Sequence, residues 1–172
     1  VPDSVEKVIF GIYDPMQGDY GMGGNRMSIW WQTDDDISTG GSPANDFTSR
    51  GFLQHFNINI PYDNIIFKNP WIWLFTGVER ANTAIFYIPK MKLYDGGTPA
   101  EQKILRQYYG EALTLRALYY SELVKYWGDV PASFVPAAET PDLFLPRTNK
   151  YIIYDQILSD LAFADGLLPW RT

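Results

Sequence analysis

The sequence predicts an almost all-α chain packed as antiparallel helix pairs. Three observations predict it. Apolar residues recur with a helical period in four segments. Those segments are bracketed by capping residues, proline or glycine at positions that helix ends favour. The longest of them carries two apolar rows where a surface helix needs one.

The first segment runs from Asp3 to Asp14, with Val5, Val8, Ile9, Ile12 and Tyr13 on one stripe, Asp3 and Glu6 spaced as a capping box, and Pro15 as the stop. Gly21-Met22-Gly23-Gly24 leads into Ser28–Gln32, and a long polar stretch from Thr33 to about Arg50 reads as a surface loop, of a length that is uncommon without a function. The alternation Phe56–Ile60, stopped by Pro61, reads as a short extended piece. A second helix is expected to start with Asn69 as cap and Pro70 at the first helical position. Trp71, Leu74, Phe75, Val78, Asn82 and Ile85 share its inner face, which obliges the Asn82 amide to find partners.

Thr98-Pro99-Ala100-Glu101 opens the longest helix with a Thr cap, a proline in the first turn and a capping-box glutamate. Ile104, Tyr108, Ala112, Leu115, Tyr119, Leu123 and Tyr126 form one apolar row, and Leu105, Tyr109, Leu113, Ala117, Tyr120, Val124 and Trp127 form the other. A helix of that girth packs on more than one side, and Gly128 and Pro131 stop it. After a connection containing Pro136, Pro141 and Pro146, a fourth helix begins near Asn149 and buries Tyr154, Ile157, Leu161, Ala164 and Leu168.

Composition narrows the functions. The formal charge is -6, from 14 Lys+Arg and 20 Asp+Glu, with no basic run, so nucleic acid is not an expected partner. The absence of cysteine removes disulfides, thiolate metal sites and a cysteine nucleophile. No apolar run approaches the length of a membrane span. Aromatic residues make up 16% of the chain, enough to build a large core or to present flat faces to a ligand.

One region is more specific than composition. Tyr109-Gly110-Glu111-Ala112, Leu115-Arg116-Ala117-Leu118-Tyr119-Tyr120, Leu123-Val124 and Tyr126-Trp127-Gly128-Asp129-Val130-Pro131 together resemble the characteristic stretch of the SusD/RagB family. Val5–Tyr13, Trp71–Asn82 and Tyr154–Pro169 resemble the family's flanking helices in the same order. The resemblance implies tetratricopeptide-like helical hairpins forming an α-solenoid scaffold with long irregular loops. It implies non-catalytic capture of glycans at the cell surface and their delivery to a SusC-like TonB-dependent transporter in the outer membrane. It further implies attachment to the membrane through an N-terminal lipid anchor whose cysteine is absent from this chain. Because family members are about three times longer, residues 1–172 are expected to be the N-terminal portion of a SusD-like domain, and an exposed apolar end face is expected to make the isolated chain self-associate or fold with the C-terminal part in trans. The alternative function is a docking module for the transporter, with ligand binding carried elsewhere.

No enzyme and no cofactor are expected. Glu111, Arg116 and Asp129 read as residues that tie elements together through ion pairs and caps. His55 is the only histidine and has no thiolate partner, so no metal site is assigned. Asp34-Asp35-Asp36 fails the EF-hand spacing, with Thr39 and Asn45 where Gly and Glu are needed. Sugar recognition combines an aromatic face with side chains that match hydroxyl donors and acceptors. By the resemblance, the ligand face here would include the loop from Asp36 to Arg50. Its candidates are Asp36, Asn45, Asp46, Phe47 and Arg50, with Tyr62 beside them. Trp30, Trp31, Trp71 and Trp73 read as core.

Overall fold

A computed structural model describes residues 2–17 and 65–169. The chain divides into two compact units, residues 15–73 and residues 1–14 with 74–172; the packing described below belongs to the second of these. The described helices are α1 (Pro2–Tyr13), α2 (Ile65–Tyr87, of which residues 74–87 belong to this second unit), a short α3 (Lys92–Gly96), α4 (Pro99–Trp127) and α5 (Lys150–Asp165). A two-residue antiparallel ladder joins β1 (Val130–Pro131) to β2 (Arg147–Thr148), pairing Val130 with Thr148.

Helix α4 is the axis of this unit, and its ends form as the sequence dictates. The Thr98 hydroxyl accepts from the Glu101 N–H, and the Glu101 carboxylate accepts from the Thr98 N–H at 2.8 Å, closing the capping box. At the other end Gly128 takes φ 67° and ψ −123°, a region open to glycine, while its N–H still donates to the Val124 carbonyl. Between them Ala112, Leu113, Leu115, Ala117, Tyr119, Tyr120, Leu123 and Val124 are all buried, so the middle of both apolar rows is inside, while Ile104 is exposed and Tyr108, Tyr109, Tyr126 and Trp127 at the row ends are half-buried. Each fully buried leucine contributes roughly 1.5–3 kcal/mol relative to exposure.

Three helices use that girth. Helix α2 runs antiparallel to α4, so close at Gly77 that a Cβ there would stand 2.5 Å from the Tyr119 ring. Helix α5 runs antiparallel on another side, and Gly110 makes room for Leu167 and Leu168 at its end. Helix α1 lies parallel to α4 and buries Val5, Ile9 and Ile12; the Tyr119 hydroxyl donates to the Ile12 carbonyl. Arg80 of α2 fastens the end of α1 by donating to the Gly11 carbonyl at 2.6 Å and the Asp14 carboxylate at 2.8 Å.

Three expectations need correction. Helix α2 begins at Ile65, so Pro70 lies inside it rather than opening it; its fixed φ is compatible with a helix, and only one N–H is missing from the ladder. Val8 is exposed, because α1 and the end of α2 leave a groove beside it. On α5 the buried stripe is Ile153, Ile157, Asp160 and Ala164, while Tyr154 and Leu161 are exposed. The helix is rolled so that Asp160 faces inward.

Candidate functional site

Asp36, Asn45, Asp46, Phe47, Arg50 and Tyr62, the residues expected to touch a glycan, lie outside the described residues, as do His55 and Asp34–Asp36. Trp71 and Trp73, read as core, are half-buried rather than buried, and Trp30 and Trp31 lie outside the described residues. What the structure does bring together is a buried polar network around Arg116 and, carried by it, an exposed loop.

Arg116 and Asp160 are each only 3% exposed. The pair is bidentate: Nε donates to Oδ2 and Nη2 to Oδ1, both at 2.7 Å. Nη1 donates to the Asn82 Oδ1 and to the Phe134 carbonyl, both at 2.9 Å. Asn82 in turn donates to the Ser133 and Val135 carbonyls, at 2.9 and 3.2 Å, and Gln156 donates to Asp160 at 2.8 Å. Asn82 comes from α2, Arg116 from α4, and Gln156 and Asp160 from α5, so one guanidinium connects three helices to the segment after β1. Desolvating two charges is costly, and such a pair is tolerable inside a protein when its remaining donors and acceptors are satisfied, as they are here. The network therefore specifies geometry more than it adds stability.

The segment from Ser133 to Thr140 is strapped onto this surface. The Tyr120 hydroxyl donates to the Ser133 carbonyl at 2.7 Å and accepts from the Ser133 N–H at 3.1 Å. Burial pushes the Tyr120 phenol well above its ordinary pKa, against the lowering pull of the Ser133 hydrogen bond and the Arg116 charge. The Tyr120 and Phe134 rings meet edge to face at 5.4 Å, and the Ala137 N–H donates to Glu79 at 2.9 Å. Beyond the strap the chain makes an excursion through Pro141 and Pro146 before returning in β2. The Asp142 carboxylate accepts from the Phe144 N–H at 2.8 Å, which folds the tip on itself. Leu143 is 66% exposed and Phe144 94%. The return is fixed as well: Asp129 accepts from the Lys150 N–H at 2.9 Å and Asn149 caps α5 through the Tyr151 N–H.

Arg116 and Asp129 thus have the tying roles their sequence context implies. Every polar atom of the Arg116–Asp160 pair is held by protein. This arrangement positions the elements that carry it. Two hollows accompany it. One of about 460 Å³ between α1 and the end of α2 is lined by Val5, Val8, Ala84, Ile88 and Met91, with Tyr87 and Lys90 at its edge. Another of about 410 Å³ lies between the start of α4 and the end of α5, with Lys103 and Arg106. Among the described residues no cluster of three acidic, His or Cys side chains could hold a metal, and no helix is long and apolar enough to cross a membrane.

Sequence reasoning missed two things here. Asp160 had a signal: a carboxylate spaced three residues from Ile157 and four from Ala164 stands on a buried stripe. The Leu143–Phe144 tip was legible only as an apolar pair between two prolines, which by itself does not distinguish a buried from an exposed turn.

The same architecture occurs in proteins already described. A SusD-like protein of Formosa agariphila is 35% identical over 97 residues, 55% of this chain and 17% of that protein. The crystal structure of a SusD homolog from Bacteroides thetaiotaomicron matches 98% of this chain with a TM-score of 0.78 at 24% identity, using 30% of its own length. A laminarin-binding SusD-like protein matches 97% with a TM-score of 0.77 at 26% identity, using 34% of its length. The two solved structures are helical, tetratricopeptide-like folds, and this chain spans about a third of each of them and less of the Formosa protein. The SusD-like family described as starch-binding and associating with the outer membrane matches residues 5–172. That match, over nearly the whole chain, shows that this chain belongs to the SusD-like family.

Proposed function

We propose that this chain is the N-terminal helical part of a non-catalytic protein that binds oligo- or polysaccharide at the bacterial cell surface and delivers it to a SusC-like TonB-dependent transporter. The observation that carries the reading is the family match over residues 5–172, to a family described as starch-binding. The relative that binds laminarin supports the ligand class. The structure fits this reading in that the Arg116 network carries an exposed loop at 141–146. In this reading an N-terminal lipid holds the full-length protein to the outer membrane, and the loop with Asp36, Asn45, Asp46, Phe47 and Arg50, with Tyr62 nearby, contributes to the ligand face.

Helix α5 favours a second reading. Tyr151, Tyr154, Leu158 and Leu161 recur along one exposed side of it, the pattern of a helix that packs against protein. On that reading the helical part docks to the transporter and ligand binds elsewhere. Native gels cast with laminarin or soluble starch separate the two. Retardation of the full-length protein supports glycan binding, and its loss when residues 36–50 are exchanged for a Gly/Ser linker places the ligand there. Retardation untouched by the exchange favours docking as the role of this part, and no retardation by any polysaccharide refutes the glycan reading.

A further inference from the structure

The tip of the 141–146 excursion is unusual for how firmly a solvent-exposed ring is held. Phe144 is 94% exposed, yet the backbone beneath it is pinned at four levels. The Asp142 carboxylate accepts the Phe144 N–H at 2.8 Å. Pro141 and Pro146 bracket the tip and restrict the chain entering and leaving it. The β1–β2 ladder closes the base. Below the ladder, Ser133 is tied to Tyr120 and Asn82, and Lys150 to Asp129. Ordering a loop costs conformational entropy, and a loop ordered before its ligand arrives spares that cost on binding.

Resting on the glycan-binding reading above, we propose that Phe144 is a stacking platform for one sugar ring of an extended polysaccharide, with Asp142, which accepts its N–H, and Arg147, three residues on in the chain, available to meet the sugar hydroxyls. The tip is convex, so a small ligand enclosed on all sides does not fit it. A polysaccharide does, because it crosses a surface and gathers contacts from several places. A pyranose presents an apolar C–H face of about the area of a phenyl ring, and stacking removes both faces from water. The flanking charges favour a sugar over a protein pocket. Asp142 and Arg147 are exposed, and a pocket closing over the tip would strip their water without replacing it. Sugar hydroxyls replace that water with donors for the carboxylate and acceptors for the guanidinium.

The test is calorimetric titration of the full-length protein with laminarin and with soluble starch, using wild type, Phe144→Ala and Phe144→Trp. Because the ring is exposed, the Ala variant is expected to melt with wild type. The proposal expects Phe144→Ala to weaken binding about tenfold, and Phe144→Trp to match or exceed wild type. If wild type binds and Phe144→Ala binds equally well, the platform is refuted while the glycan reading stands. If Phe144→Ala instead loses association with the transporter at unchanged glycan affinity, the tip is a protein contact and the platform is likewise refuted. If wild type binds neither polysaccharide, the functional reading fails and takes the platform with it.

Discussion

Replacing Arg116 by Met leaves the shape of the stem in place and removes the charge that three helices share. Four hydrogen bonds disappear, two to Asp160 and one each to Asn82 and the Phe134 carbonyl. The larger effect is what remains, an Asp160 carboxylate 3% exposed with only Gln156 still donating to it. Breaking one side of a buried pair costs about 3–5 kcal/mol, a large part of a typical stability of about 5–15 kcal/mol. At roughly 2–4 °C per kcal/mol for a domain of this size, the melting temperature should fall by about 6–20 °C. Urea unfolding followed by circular dichroism gives the free energy, and the double variant Arg116→Met/Asp160→Leu supplies the control. With both charges gone no ion is stranded, so the double variant should recover most of the loss. A single-variant cost below about 1 kcal/mol, or a double variant no better than the single, would refute the view that this pair is a specificity device embedded in a dry core.

Other consequences can be checked in the same assay. Gly77→Ala places a methyl 2.5 Å from the Tyr119 ring, and overpacking of that kind should cost about 1–3 kcal/mol. Thr98→Ala opens the capping box and should lower the melting temperature. In wild type the Thr98 backbone and hydroxyl hydrogen bonds hold the Glu101 pKa below its ordinary value, so the box contributes above the unfolded pKa and fades as pH falls through the folded one; the wild-type advantage over Thr98→Ala should shrink in acid. Tyr120 has the opposite sign. Its phenol is raised by burial, so its stabilisation is complete below the unfolded value near 10 and is lost as pH rises above it, and Tyr120→Phe should flatten that alkaline loss in a pH series of urea melts.

Helix α4 could be read from the sequence almost entire, because its signals are local: Thr98, Pro99 and Glu101 cap it, and two apolar rows state that it is wrapped. Asn82 was legible for the same reason, since an amide on an apolar stripe must be satisfied. The roll of α5 was not. Tyr151, Ile152, Ile153, Tyr154, Ile157, Leu158, Leu161 and Phe163 offer apolar stripes nearly all round, and only a partner 44 residues away, Arg116, selects the one containing Asp160. The start of α2 misled because Asn69-Pro70 is a good opening signal by itself, yet a proline costs an existing helix only local bonds. The expected ligand loop, residues 36–50, lies outside the described residues.

In the proposed reading the full-length protein binds glycan without transforming it. Titrating the full-length protein with laminarin and soluble starch, and assaying reducing ends in the same samples after prolonged incubation, tests both halves at once. The account predicts saturable heat with one of these polysaccharides and no growth of reducing ends. Release of reducing sugar, or the absence of binding heat with either, would contradict it.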